Sequence, residues 1–379
     1  MEEWKEYKLG DVCSRLRSGK GIKADSVFSA GKYPVIGGNG VRGYADEPNF
    51  EGQAVIIGRQ GAYCGNVRFF EGEAYMTEHA IVAVGNELAD TRFLACLLSL
   101  MHLGNLSAQS AQPGISVQTL SKQSIRLPSI SYQKKVSAII KSLDDKIEVN
   151  RRINDNLEQQ AQALFKSWFV EFEPFRDQPF VESELGKIPE EWKVIAFKDF
   201  IVASTEKVPV DCYPEYSVTN NGIIPRGSKF NKKLSKSTSK NKVLRKDNLV
   251  FGMSREILNW GIMEDEVGGV SSAYNIFIID KEKVSPTYLR LYMRARISDF
   301  NSLIGTAARE GQSLDKGQLM QKQIYIPTSA ALQDFFDLYS PLTKAQLNIG
   351  EESRRLAQLR DTLLPRLISG EIKVGDVTL

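Results

Sequence analysis

The chain has few residues with which to do covalent chemistry. Its 379 residues include two histidines, His79 and His102, and four cysteines, Cys13, Cys64, Cys96 and Cys212. No two cysteines form a CxxC pair or lie close in sequence, so no Cys/His zinc site can be built from sequence neighbours. Reduced, mostly buried thiols are expected. No GxxxxGK[ST] phosphate loop is present for an ATP motor, and no Asn-Pro-Pro-Tyr or Asp-Pro-Pro-Tyr tetrad for amino-methyl transfer. His79 follows Glu78 just before an apolar run and reads as a structural histidine, because no nucleophile–base pair accompanies it. No apolar run approaches the ~18 residues of a membrane span. The opening Met1-Glu2-Glu3-Trp4-Lys5 predicts no secretory leader, so a cytoplasmic protein is expected.

What is present is ordinary globular material, 42% hydrophobic and 25% charged, with a net charge of +3. The length suits two or more domains of roughly 100–200 residues each. The net charge is too small to imply a polyanionic partner, but its distribution is uneven. Arg226, Lys229, Lys232, Lys233, Lys236, Lys240, Lys242, Arg245 and Lys246 fall in one stretch without an acid. Such a run attracts phosphates, or is a solvated basic loop.

An internal repeat organises the chain. Glu2-Glu3-Trp4-Lys5 recurs as Glu190-Glu191-Trp192-Lys193, and Phe93-Leu94 matches Tyr288-Leu289. From there one constant offset relates Leu120 to Leu319, Ile125 to Ile324, Pro128 to Pro327, Leu143 to Leu342, Leu157 to Leu356, Leu164 to Leu363 and Phe169 to Ile368. Each match is weak, but a constant offset over this length points to two copies of one unit, a globular part followed by a long helix. Within the globular parts, 54–58 and 80–84, and 248–252 and 275–279, have strand length and apolar character, while 91–102 and 286–297 read as short helices.

The long helices carry a heptad pattern. Positions 136, 140, 143, 147, 150, 154, 157, 161, 164 and 168 form one seam, and no glycine or proline interrupts Ser131 to Phe172. A helix of that length spans ~60 Å at 1.5 Å per residue. The second copy places its seam at 335, 338, 342, 345, 349, 352, 356, 359, 363 and 366, with Pro341 and Gly350 predicting a less regular helix. Two seams of equal length in one chain would bury each other. Asn150, Asn154 and Glu352 are polar seam positions of the kind that fix register.

Two motifs mislead. Gly38-Asn39-Gly40-Val41-Arg42-Gly43 has the GxGxxG form, but Tyr44-Ala45-Asp46-Glu47-Pro48 follows where a dinucleotide fold needs a helix. Glu191-Trp192-Lys193 has the ExK form of nuclease metal sites, but the same residues open the first copy, so it marks a repeat boundary.

Several loops have the composition that reads duplex DNA, in which side chains meet base edges and cations meet phosphates. In the first copy they hold Arg17, Lys20 and Lys23; Asn39, Arg42 and Tyr44; Arg59, Gln60 and Tyr63; and Gln109, Gln112 and Ser116. In the second they hold Asn220 and Asn221; Arg226, Lys229, Lys232 and Lys233; Ser254 and Arg255; and Arg309 and Gln312. Framework residues recur between the copies while loop residues differ, as in a binder that reads two different half-sequences. Polar glycine-rich loops are also simply loops, and a coiled-coil scaffold without a DNA target, or a restriction–methylation fusion enzyme, are the rival readings.

Leu164-Phe165-Lys166-Ser167-Trp168-Phe169-Val170 and Leu363-Leu364-Pro365-Arg366-Leu367-Ile368-Ser369-Gly370-Glu371-Ile372 close the two helices. Together with Tyr33-Pro34-Val35-Ile36-Gly37-Gly38-Asn39-Gly40 and Ile57-Gly58-Arg59-Gln60-Gly61, they give the chain a form that resembles the specificity subunits of type I restriction–modification systems. The second copy departs from the pattern, with Val218-Thr219-Asn220-Asn221-Gly222 and Gly252-Met253-Ser254-Arg255 in the corresponding places. The resemblance implies an α+β protein: target-recognition domains at 1–128 and 176–327, and helices at 129–175 and 328–379 packed as an antiparallel two-helix coiled coil. It implies a non-catalytic subunit that reads a bipartite, asymmetric duplex target and directs two methylase subunits, and restriction subunits where present. No cofactor is expected in this chain; S-adenosylmethionine belongs to the methylase partner, and ATP and Mg to the restriction partner. Trp168, Phe169, Phe172 and Phe175 are the expected methylase dock, unless they pack on the chain's own domains.

Overall fold

The structure, a computed structural model, describes residues 3–107, 113–209, 213–228, 240–254, 256–305 and 314–376. The chain divides into two compact units, Met1–Ile153 with Asn348–Leu379, and Asn154–Leu347. It is a mixed α/β protein with two long helices, and the division between units falls inside both of them.

In chain order the first unit contains strands β1 (Lys5–Lys8), β2 (Cys13–Ser18), β3 (Tyr33–Gly37), β4 (Gly40–Ala45), β5 (Phe50–Gly58), β6 (Val67–Met76) and β7 (Ala80–Gly85). Helices α1 (Thr91–Leu100) and α2 (Val117–Ser121), strand β8 (Ser124–Leu127) and the start of helix α3 (Ile130–Phe169) follow. Six strands form a sheet in the order β2-β7-β5-β6-β3-β4. The apolar runs at 54–58 and 80–84 become β5 and β7, buried on both faces. Strand alternation divides them. Val55, Ile57, Ile81 and Ala83 pack with Phe93, Leu94 and Leu98 of α1, whereas Ala54, Ile56, Ala80 and Val82 pack with Ile36, Phe50 and Met76.

The Asp90 carboxylate accepts from the Phe93 N–H at 2.9 Å and caps α1. Asp90 is held in turn by α3, because its own N–H donates to the Gln133 side chain and the Ser137 hydroxyl donates to its carboxylate. Arg92 stacks over Phe69 at 3.8 Å and pairs with Glu71 and Asp144, while Arg360 pairs with Asp144 at 2.9 Å. β1 and β8 pair antiparallel beside this anchor.

The second unit continues α3 and adds β9 (Phe180–Ser183), β10 (Gly186–Pro189), β11 (Lys193–Ala196), β12 (Ile201–Ser204), β13 (Tyr216–Thr219), β14 (Gly222–Pro225), β15 (Lys242–Arg245), β16 (Leu249–Phe251), β17 (Trp260–Ile262), β18 (Val267–Val270) and β19 (Asn275–Ile279). Helices α4 (Pro286–Ala295), α5 (Ile297–Phe300) and α6 (Lys316–Gln321), strand β20 (Gln323–Ile326) and helix α7 (Ser329–Ser369) complete the chain. Its largest sheet runs β12-β19-β16-β17, and β11 pairs antiparallel with β20. Ser285 caps α4 by accepting from Tyr288 N–H, with Pro286 at the first helical position, where its missing N–H costs nothing.

The first helical seam is buried at Val136, Ile140, Leu143, Asn150 and Ala161. The second differs from the sequence expectation. Leu338 and Leu359 are 52% and 41% exposed, and Glu352 and Arg366 also face outward. The covered face instead runs through Phe335, Tyr339, Leu342, Gln346, Ile349, Ser353, Leu356, Arg360, Leu363 and Leu367, still in steps of four and three. Hydrophobicity chose the wrong neighbours because the true seam is partly polar. In the first unit the Asn150 amide donates to Glu352 at 2.8 Å. In the second, the Gln346 amide lies within hydrogen-bond reach of the Asn154 carbonyl and of Glu158, at 3.4 and 3.3 Å. α7 runs on through both Pro341 and Gly350.

Candidate nucleic-acid interface

In the first unit, five sequence-distant loops meet at one end of the six-stranded sheet. The turn after β5 is pinned on both sides: Arg59 N–H donates to the His79 carbonyl at 3.0 Å, and Ile115 N–H donates to the Arg59 carbonyl at 2.9 Å. Lys20 N–H donates to the Met76 carbonyl at 2.9 Å, and Thr77 N–H to the Ile36 carbonyl. Two glycines permit this convergence. A Cβ on Gly19 would lie 2.1 Å from the Met76 carbonyl oxygen, and one on Gly38 would lie 2.9 Å from that of His79. No side chain fits at either place.

Lys20, Asn39, Arg42, Arg59 and Gln60 therefore share one loop cluster, with Tyr63 in the loop that Gly58 opens. Lys20, Asn39, Arg42, Gln60 and Tyr63 are exposed, and Arg59 is half-buried with its guanidinium donating to the Glu78 carbonyl at 3.4 Å. Arg17 and Lys23 are exposed and Tyr44 is half-buried. Ser116 is exposed and caps α2, its hydroxyl accepting from Thr119 N–H at 2.9 Å. Gln109 and Gln112 lie outside the described residues.

Sequence reasoning missed Arg68, whose guanidinium donates to the Asn39 side chain at 3.3 Å from inside β6. It also gave no contact role to Thr77, Glu78 and His79, which form the turn between β6 and β7 at the centre of the cluster. The one sequence signal for them was position, three polar residues between a strand and an apolar run.

In the second unit, Asn220 and Asn221 are exposed at the tip of the β13–β14 hairpin. Beside it lies a cavity of ≈ 780 Å³ lined by Tyr216, Asn221, Asp265, Arg290 and Arg294 among others. Burial first, then its hydrogen bond to Asp265, pushes the Tyr216 phenol up to about 12. Arg226 is half-buried and donates to the Ser217 hydroxyl at 2.7 Å. Ser254 is buried and accepts from Asn259 N–H, which removes it from any contact surface. Arg245 and Lys246 of the basic run pair with Glu206 and Glu266, and Lys242 donates to the Tyr274 carbonyl, so these three serve the scaffold. Lys229, Lys232, Lys233, Arg255, Arg309 and Gln312 lie outside the described residues.

The four aromatic residues expected to dock a methylase are part of the second unit's core. Phe169 and Phe175 are buried, and Trp168 and Phe172 pack against Phe335, Trp192 and Tyr325. The Tyr325 hydroxyl donates to the Phe169 carbonyl. Phe169 and Phe175 have no ring face left for a partner.

Two of the described thiols are held protonated rather than activated. Burial pushes the Cys13 thiol up to about 11 and that of Cys96 up to about 12, so both stay protonated near neutrality. Among the described residues no cluster of three His, Cys, Asp or Glu side chains could hold a metal ion, and no helix is long and apolar enough to cross a membrane.

Comparison with known proteins fits this geometry. Residues 1–159 match the family described as type I restriction modification DNA specificity domain. The MjaIX type I restriction enzyme specificity subunit of Methanocaldococcus jannaschii is 28% identical over 288 residues, covering 73% of this chain and 67% of that protein. The first 159 residues therefore carry a type I specificity domain, and most of the chain is similar to a type I specificity subunit. A second relative, the EcoprrI specificity subunit of Escherichia coli, is 36% identical over 146 residues, 38% of this chain and 36% of its own length. The fold is similar to that of the solved S subunit of a type I system from M. genitalium, with a TM-score of 0.60, 14% identity, and 97% and 96% of the two chains covered.

Proposed function

We propose that this chain is the sequence-reading subunit of a type I restriction–modification complex, recognising a bipartite, asymmetric duplex target and leaving methylation and cleavage to its partners. The observation that carries this is the convergence of Lys20, Asn39, Arg42, Arg59 and Gln60 on one loop cluster with a rigid sheet behind it. Cations there take phosphates and set register, while amide side chains meet base edges.

The chain is two copies of one unit, with target-recognition domains at 1–128 and 176–327. The matching strand orders β2-β7-β5-β6 and β12-β19-β16-β17 support this, as do the equivalent pairs β1–β8 and β11–β20. The helices act as an antiparallel coiled coil that sets the gap between half-sites. In the first unit partner numbers increase on α3 as they decrease on α7, from Asp144–Arg360 to Asn150–Glu352, which supports that reading. Two methylase subunits holding S-adenosylmethionine, and restriction subunits using ATP and Mg, complete a cytoplasmic complex. Val149 and Ile153, exposed one turn apart on α3, suit a methylase contact better than the buried aromatics do.

The test is single-molecule methylation mapping of host DNA with and without the gene. Loss of N6-methyladenine at one bipartite motif is the expected outcome. An unchanged methylome, together with no motif selected from random duplex DNA by the purified protein, would overturn it.

A further inference from the structure

We infer that Glu78, positioned by His79, is a specificity-determining residue of the first domain that accepts a hydrogen bond from the exocyclic amino group of an adenine or cytosine in the major groove. This rests on the DNA-reading function proposed above.

Glu78 and His79 occupy the two central positions of a turn closed by Ala80 N–H donating to the Thr77 carbonyl at 3.0 Å. The turn sits in the middle of the loop cluster. Lys20 and Gly21 flank one side, where a Cβ on Gly21 would lie 3.8 Å from Glu78 Oε2. Gly38 and Arg59 flank the other, through the His79 carbonyl. The Tyr75 hydroxyl fixes Gly21 by donating to its carbonyl at 2.9 Å.

Two unpaired atoms mark this turn. Among the described residues, Glu78 Oε2 is buried without a hydrogen-bond partner, and so is the hydroxyl of the fully buried Thr77 next to it. Unpaired buried polar atoms are uncommon and costly. Glu78 Oε1 meets His79 Nε2 at 3.1 Å, and both side chains are nearly half exposed, so the carboxylate can swing outward about that contact. Moving Oε2 out of its buried position breaks no hydrogen bond.

The choice of ligand follows from charge. Lys20, Arg42 and Arg59 adjoin the turn and suit phosphates, whereas phosphates repel a carboxylate. A carboxylate at the centre of a basic cluster is matched by donors, and the donors that duplex DNA presents in its major groove are adenine N6 and cytosine N4.

The test is selection from a random duplex library with the purified full-length protein, wild type against Glu78→Gln and His79→Ala, combined with salt titration of binding. Glu78→Gln keeps the side-chain volume and adds a donor of its own. The expected result is about tenfold relaxed preference at one base pair of one half-site, with the other half-site, the melting temperature and the salt slope unchanged. His79→Ala relaxes the same base pair more weakly. Whether the wild-type preference there is A·T or C·G tells the two amino groups apart. An identical motif for Glu78→Gln, or a uniform affinity change with an altered salt slope, would overturn the inference and leave DNA reading standing. If the wild type selects no motif, DNA reading falls and this inference falls with it.

Discussion

The Asn150 side-chain amide, 1% exposed in the first helical seam, donates to the half-exposed carboxylate of Glu352 at 2.8 Å. Lys146 pairs with the same carboxylate at 3.5 Å. Glu352→Ala leaves the buried amide without its acceptor and should destabilise the first unit by about 1–3 kcal/mol. Asn150→Leu replaces the buried polar group with an apolar one and should hold or raise stability while weakening selection of one helical register. Thermal melting checks the first effect, and the second appears as alternative association states in sedimentation. A stability loss for Asn150→Leu as large as that for Glu352→Ala would show that the polar pair is not a register device.

Charge reversal in the first loop cluster separates recognition from folding. Arg42→Glu and Arg59→Glu should each weaken binding to the selected target and lower the salt slope by about one for each phosphate no longer neutralised. Discrimination should fade in one half-site only. Anisotropy titrations at several salt concentrations, with targets mutated in either half, measure this; equal discrimination in both halves would remove these loops from the interface.

Core and dock make opposite predictions for the helix-end aromatics. Phe169→Ala deletes a fully buried ring and should cost about 3–5 kcal/mol, visible as a large drop in the melting temperature of the second unit. Val149→Glu with Ile153→Glu should leave melting unchanged and abolish co-purification with the methylase. Retention of the methylase by that double variant would place the contact elsewhere.

The raised thiols carry a pH signature. Burial moves Cys96 from its ordinary 9.0 up to about 12, which makes its thiolate far less accessible in the folded protein than in the unfolded chain. Its contribution to stability is therefore complete below about pH 9 and is lost as pH rises toward about 12. Residue-resolved alkylation at pH 8 should leave Cys96 and Cys13 unmodified until denaturant is added. Rapid labelling of Cys96 under native conditions would contradict its burial.

Much of the architecture was legible because apolar runs of strand length and heptad spacing depend on local sequence. β5, β7, β16 and β19, and the two long helices, lie where Ala54–Gly58, Ala80–Val84, 248–252, 275–279 and the seam residues placed them. The second seam was misread at Leu338, Leu359 and Arg366, because a seam containing Gln346 and Arg360 draws its pairing from Asn154 and Asp144 on the other helix, which a single helix does not reveal. The loop cluster was half legible. Glycines and cations announced Lys20, Arg42 and Arg59, but Arg68 reaches Asn39 only across the sheet. Ser254 looked like a contact residue because a buried hydroxyl that holds a loop and one that reads a base are the same in sequence.

The chain enters the first globular part through β1 and leaves it through β8, two four-residue strands bonded side by side from Lys5↔Leu127 to Lys8↔Ser124. β11 and β20 gate the second in the same way. Each clasp closes the stretch between its strands into one contiguous segment. A genetic exchange with crossovers inside the two strands would replace that whole segment and keep the clasp and its helix, so a new segment can be installed in one recombination event if it again offers a partner like Asp90 to Gln133 and Ser137 of α3.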